Sequence, residues 1–226
     1  MSESESSSRA LSGAAASPGA GRPVEGVFAH WPNRITMLRF GGSMVLFLLL
    51  ALDGLVVPTR PLWVGVAFWL FLLVAATDAL DGYLARKGNV VTAFGRIADP
   101  FVDKVLVLGV MIFLAVLEWS RHWFPAWIVV VVLAREFLVT GIRGYVESLG
   151  LEFGADRFGK LKMVVQCIAI GIVLGLYAFP WPDVLDEALQ VLGHVFVWAT
   201  LVTSVGSGAT YVLKTRDLLA QARTGG

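Results

Sequence analysis

Long apolar segments alternate with short charged connectors along most of the chain. A helix needs about 20 mostly apolar residues to cross the hydrocarbon core of a bilayer. We predict six membrane-spanning helices, at Ile35–Leu52, Leu62–Leu84, Ile97–Leu117, Ala126–Val146, Leu161–Phe179 and Ala188–Leu213. The pattern therefore predicts an all-α, polytopic membrane protein.

The composition supports this prediction. Of the 226 residues, 57% are hydrophobic and 15% are charged, whereas soluble domains carry about 25% charged residues. The net charge of +1 gives no reason to expect a nucleic-acid partner. A single cysteine excludes an intramolecular disulfide.

The two ends of the chain differ from its apolar middle. Residues 1–26 are rich in Ser, Ala and Gly and contain no long apolar segment, so we predict a disordered N-terminal tail. The membrane domain is predicted over 27–214, and a short C-terminal tail over 215–226.

Lys and Arg are distributed unevenly among the connectors. The second-to-third connector, the fourth-to-fifth connector and both chain ends are basic, whereas the other connectors carry one basic residue or none. Basic connectors stay on the cytoplasmic side of a membrane. We therefore predict a multi-pass protein of the cell membrane with both termini and residues 78–104 on the cytoplasmic side.

Four aspartates lie between the second and third predicted spans. Asp78 and Asp81 are three residues apart, and Asp99 and Asp103 are four apart, so each pair shares a helix face. The structural alternatives are solvated or helix-capping carboxylates, or ion pairs with neighbouring Arg and Lys. Ionisable residues in a membrane segment usually serve a function. Carboxylates without His or Cys favour Mg²⁺ or Mn²⁺, and four of them can hold two ions about 3.5–4 Å apart.

Small residues and an arginine accompany these aspartates. Gly82, Ala85 and Gly95 leave a strip almost free of side chains, and Arg86 can bind phosphate oxygens with two hydrogen bonds. This combination indicates a substrate that contains a diphosphate. Ion or proton transport is the rival, since carboxylates also form relays, but it accounts for neither the small residues nor the pairing.

The pattern D-x2-D-G-x2-A-R-x8-G-x3-D-x3-D, from Asp78 to Asp103, resembles the signature of the CDP-alcohol phosphotransferases. The resemblance implies transfer of a phosphatidyl group from CDP-diacylglycerol to an alcohol, with release of CMP. It also implies a six-helix membrane fold, two Mg²⁺ or Mn²⁺ ions and a homodimer.

The resemblance assigns roles to individual residues. The metal ligands would be Asp78, Asp81, Asp99 and Asp103, and Asp103 would also be the general base. Binding of CDP-diacylglycerol would fall to Gly82, Ala85, Arg86, Thr92 and Gly95, joined by Asn33 and Thr36 of the segment WPNRITMLR. A simpler interpretation of that segment has Asn33 as a helix N-cap, and Arg34 and Arg39 at lipid phosphates.

The acceptor alcohol is predicted from the fourth and fifth spans. Arg135 and Glu136 lie inside an apolar segment, where charges are costly, and a structural Arg–Glu contact with other helices is one explanation. The other is a binding site for an anionic acceptor, because such a cluster suits a phosphomonoester. Its members would be Arg135, Arg143, Lys160 and Lys162.

Two segments, AREFLVTGIR and GKLKMVVQ, resemble the branch of the family that uses sn-glycerol-3-phosphate in phosphatidylglycerol biosynthesis. Inositol phosphate, and phosphatidylglycerol as the precursor of cardiolipin, stay open as acceptors, because basic residues alone do not separate them from glycerol-3-phosphate.

Overall fold

The computed structural model describes residues 31–56, 61–88, 93–149 and 157–224. Within them the chain forms six α-helices and no strand. The helices are α1 (Trp31–Val56), α2 (Pro61–Gly88), α3 (Ala93–Val116), α4 (Ala126–Ser148), α5 (Arg157–Ala178) and α6 (Asp183–Thr224). Each predicted span overlaps one of these helices and extends past it by no more than one residue, so the all-α prediction is confirmed for the described residues.

Three helices among the described residues are long and apolar enough to cross a membrane, in the ranges Asn33–Asp53, Leu161–Ala178 and Asp183–Leu218. Helix α2 contains a shorter apolar range, Leu62–Thr77. The chain is therefore a helical membrane protein.

The two predicted tails differ in how much of them the structure describes. The predicted N-terminal tail lies outside the described residues. At the other end, α6 continues through the predicted tail to Thr224. Residues 209–224 contain neither Gly nor Pro, so nothing in the sequence breaks the helix before it reaches Thr224.

The helices pack in a closed ring in the order α1, α2, α5, α6, α4, α3, and α3 also contacts α5 across the ring. The buried core includes Phe71, Met111 and Leu174. Large apolar side chains such as Trp69 and Val202 are exposed on the outside, as expected for surfaces in contact with lipid.

An aromatic cluster closes one end of the ring. The indole of Trp119 donates to Asp53 at 2.9 Å, and the ring of Trp123 stacks on His194 with centroids 4.3 Å apart. The indole of Trp123 also donates to the Tyr177 hydroxyl at 3.2 Å. These contacts join the α3–α4 connector to α1, α5 and α6. The predicted site lies towards the other end, where α2 ends and α3 begins.

Candidate active site

The helices place the four motif aspartates on two neighbouring segments. Asp78 and Asp81 lie in the second half of α2, and Asp99 and Asp103 lie in the first half of α3, with only residues 89–92 between the two helices. The spacing of each pair therefore falls on continuous helix, where positions three or four apart share a face. Of these four side chains the structure describes that of Asp103.

Asp103 forms an ion pair with helix α1. The Nη2 of Arg39 donates to Oδ1 of Asp103. Arg39 is 3% exposed and Asp103 is 22% exposed. The simpler alternative, in which Arg39 meets lipid phosphates, is thus wrong, because α1 packs against α3 and Arg39 is buried against Asp103.

The polar residues of α1 form one buried stripe. Asn33, Thr36, Arg39 and Ser43 recur at intervals of three or four and are all buried, which places them on one helix face, whereas Arg34 is exposed. Helix α1 begins at Trp31. Asn33 therefore occupies the third position of the described helix, and both interpretations of it, as an N-cap and as part of the donor site, stay predictions.

The other residues predicted to bind CDP-diacylglycerol lie where α2 and α3 approach their shared connector. Gly82, Ala85 and Arg86 occupy helical positions in the last turns of α2, and Gly95 occupies one in the first turn of α3. The structure describes no side-chain contacts for these positions. Thr92 lies outside the described residues.

A charged cluster joins α4, α5 and α6. Arg135 Nη1 donates to Glu136 Oε1 at 2.7 Å, and Lys162 Nζ donates to the same oxygen. Arg135 Nη2 donates to Ser207 Oγ on α6. Arg135, Glu136 and Lys162 are all buried. The structural Arg–Glu contact that the sequence left open is therefore present, and it extends to a lysine.

A cavity of about 150 Å³ lies between α3, α4 and α5. Its polar lining consists of Asp103, Lys104, Glu136, Lys162 and Gln166, and the remaining lining residues are Val107, Leu108, Gly159 and Met163. Asp103 and Lys162, which the sequence assigned to the reaction centre and to the acceptor, thus line one cavity.

The other predicted acceptor-binding residues are Arg135, Arg143 and Lys160. Arg135 donates to Glu136 and is not part of the described lining. Arg143 is exposed and lies over the ring of Tyr211 on α6, with its guanidinium carbon 5.8 Å from the ring centroid. Lys160 occupies a helical position in the first turn of α5, and the structure describes no contact for its side chain.

Three residues of this region received no substrate role from the sequence: Arg39, Lys104 and Gln166. Lys104 Nζ donates to Thr140 Oγ1 at 2.6 Å. Gln166 lies four residues after Lys162 in an otherwise apolar segment, and such a polar residue one turn from a charge is the signal that could have indicated it.

A family model described as CDP-alcohol phosphatidyltransferase matches residues 29–206, which include the whole motif and the cavity. The chain belongs to this family. The match begins just before α1 and ends within α6, so the CDP-alcohol phosphatidyltransferase domain is the helical ring itself.

Two relatives within the family carry the same name, CDP-diacylglycerol--glycerol-3-phosphate 3-phosphatidyltransferase. The Bacillus subtilis (strain 168) protein is 35% identical over 156 residues, which cover 66% of this chain and 73% of the relative. The Rickettsia bellii (strain RML369-C) protein is 30% identical over 181 residues, or 80% of this chain and 92% of the relative.

Proposed function

We propose that this protein transfers the phosphatidyl group of CDP-diacylglycerol to sn-glycerol-3-phosphate, giving phosphatidylglycerophosphate and CMP. The observation that carries the proposal is the complete eight-position motif on α2 and α3, in a chain whose relatives are named for this reaction. The cavity beside Asp103 supplies space for an acceptor next to the motif.

The donor set fits divalent cations. The motif contains four carboxylates and neither His nor Cys, and the partly exposed Asp103 carboxylate lines the cavity. Asp78, Asp81, Asp99 and Asp103 would hold two ions, which we propose are Mg²⁺ or Mn²⁺. When bound, such ions polarise phosphoryl oxygens and neutralise the charge that develops on them.

The chain's own residues bind the donor and move the proton. Gly82, Ala85 and Gly95 leave room for the nucleotide, and Arg86 binds its diphosphate. Thr92, Asn33 and Thr36 complete this site. Asp103 accepts the proton of the acceptor hydroxyl while that oxygen forms a bond to the lipid-bearing phosphorus. The bond from this phosphorus to the CMP oxygen breaks, and CMP leaves with the electron pair.

The acceptor phosphate binds on the opposite side of the cavity. Lys162 lines it, and we assign Lys160, Arg135 and Arg143 to the surrounding positive field. Because Lys162 lines the cavity, we propose it as the direct ligand of the acceptor phosphate. Arg135 acts through Glu136, whose oxygen also binds Lys162.

We further propose that all six helices cross the cell membrane, with both termini and the site on the cytoplasmic side, and that the protein acts as a homodimer. The basic connectors support this topology. A lipid-soluble donor and a water-soluble acceptor can both reach a site near that membrane surface.

The test measures CMP release by the purified full-length chain from CDP-diacylglycerol in mixed micelles. Glycerol-3-phosphate, inositol phosphate and phosphatidylglycerol are supplied separately, with Mg²⁺ or Mn²⁺. We expect CMP release with glycerol-3-phosphate, its loss after chelation by EDTA, and its recovery when the ion is restored. Release only with another acceptor would reassign the substrate. No CMP release with any acceptor, together with ion flux in vesicles, would favour transport.

Asp103→Asn tests the general base. We expect kcat to fall by about 10²–10⁴-fold, the usual contribution of a positioned base. Asp186→Asn is the matched control, because Asp186 lies in the first turn of α6 and binds Gln190. Full turnover in Asp103→Asn would refute the assignment.

A further inference from the structure

Gln166 is a buried polar residue for which the proposed reaction has so far supplied no role. It is 3% exposed, it lines the cavity beside Asp103 and Lys162, and its Nε2 has no hydrogen-bond partner among the described residues. A buried donor without a partner is costly. Native proteins keep few such groups, and a bound molecule is one reason for keeping one.

The position of Gln166 within the cavity follows from the two helices that line it. Helices α3 and α5 are separated by one complete helix in the sequence, so in a bundle of alternating helices they run in the same direction. Val107 lies one turn after Asp103 on α3, Gln166 lies one turn after Lys162 on α5, and all four residues line the cavity. Gln166 and Val107 therefore form a second turn of the lining, next to the turn that carries Lys162 and Asp103.

An acceptor whose two ends bind Asp103 and Lys162 can place its middle against Gln166, which lies one turn from Lys162 in the same lining. The proposed base, Asp103, receives the reacting hydroxyl, and Lys162 receives the phosphate. In glycerol phosphate the atoms between these ends include a second hydroxyl, on the middle carbon. A neutral amide donor suits a neutral hydroxyl oxygen.

We propose that Gln166 is a specificity-determining residue whose buried amide donates a hydrogen bond to the middle hydroxyl of the phosphorylated acceptor. This role rests on the proposed function and deepens it: the acceptor must carry a hydroxyl on the carbon next to the one that bears the reacting hydroxyl. Sites that hydrogen-bond a substrate hydroxyl reject analogues lacking it, because the protein group is then left unpaired.

The test compares two acceptors that differ by this hydroxyl. The purified chain is assayed for CMP release with sn-glycerol-3-phosphate and with 3-hydroxypropyl phosphate, which keeps the phosphate and a primary hydroxyl. We expect wild type to prefer glycerol-3-phosphate in kcat/KM by on the order of 10- to 100-fold. In Gln166→Met, which keeps the length but removes the donor, the preference should fall to about threefold or less.

Two further variants separate this role from a structural one. Gln166→Asn keeps the amide but shortens the side chain by one methylene group. The preference of this variant for glycerol-3-phosphate should therefore be intermediate. This variant also provides the test if Gln166→Met fails to fold. Gln190→Met is the matched control, because Gln190 is exposed near the start of α6. This variant should leave the preference for glycerol-3-phosphate unchanged.

The outcomes distinguish this proposal from the proposed function. Equal use of both acceptors by wild type would overturn the role of Gln166, although CMP release would still support the reaction. An unchanged preference in Gln166→Met and Gln166→Asn, including one in which activity falls equally with both acceptors, would also overturn it. No CMP release from any acceptor would refute the proposed function, and the role of Gln166 with it.

Discussion

Arg39 connects the first helix to the proposed reaction centre through a single side chain. Its guanidinium is buried among the helices and binds Asp103 on α3. Removing one partner from a buried ion pair costs about 3–5 kcal/mol. Because Asp103 is partly exposed, the loss should lie at the lower end of that range.

Arg39→Ala should therefore lower the free energy of unfolding by about 3 kcal/mol, or the melting temperature by about 6–12 °C for a chain of this size. Arg39→Lys should recover part of the loss, since it restores the positive charge but replaces the planar guanidinium by a single ammonium group. The measurement is thermal unfolding in detergent. Arg34→Ala, on the exposed face of the same helix, is the control, and an equal loss there would contradict the prediction.

At the level of residues, sequence reasoning succeeded where spacing was short. The aspartates three and four apart fall on continuous helices, as their spacing predicted. It missed the contact of Arg39 with Asp103, because these residues are 64 positions apart and only the packing of α1 on α3 brings them together. The contact of Arg135 with Ser207, 72 positions away, depends likewise on tertiary structure.

At the level of helices, apolar length predicted all six elements, since a span must satisfy its backbone hydrogen bonds internally. Apolar length did not predict how closely the helices approach. A Cβ added to Gly109 of α3 would overlap the ring of Phe47 on α1, whereas a Cβ on Gly171 of α5 would meet nothing within 4 Å. The same residue type thus has a packing role at one position and none at the other.

Gly109→Ala should destabilise the protein by about 1–3 kcal/mol, because Phe47 must move out of a packed interface. Gly171→Ala is the matched control, and it should be neutral or stabilising by up to about 1 kcal/mol through helix propensity. Adding Phe47→Leu to Gly109→Ala should restore part of the loss. Thermal unfolding of the four proteins measures these effects. Equal stability of the two glycine variants would show that the α1–α3 contact is looser than the structure indicates.

At the level of the whole molecule, the order of helices around the ring explains why one cavity combines the two predicted sites. Helix α3 contacts both α4 and α5, so Asp103 faces Glu136 and Lys162 across a single space. The linear sequence separates Asp103 from Lys162 by a complete helix and does not reveal this proximity. It did indicate both sites separately, through charges in otherwise apolar segments.

The length of helix α6 limits how the protein can be placed in the bilayer. Its 42 residues span about 63 Å at 1.5 Å per residue, about twice the thickness of the hydrocarbon core. The helix must therefore extend into water at one end or both. Its C-terminal part carries Lys214, Arg216 and Arg223, which favours the cytoplasm for that end.

Single-cysteine labelling should locate the two ends of the ring. In a Cys167→Ser background, Arg121→Cys lies in the α3–α4 connector and Arg216→Cys lies on the C-terminal part of α6, where Arg216 is 75% exposed. With six crossings and both termini inside, an impermeant maleimide should label position 121 in intact bacterial cells and position 216 only after permeabilisation. Retained CMP release by each variant would establish that it has folded. Labelling of both positions from outside would mean an even number of crossings between positions 121 and 216 instead of the proposed three, and would overturn the proposed topology.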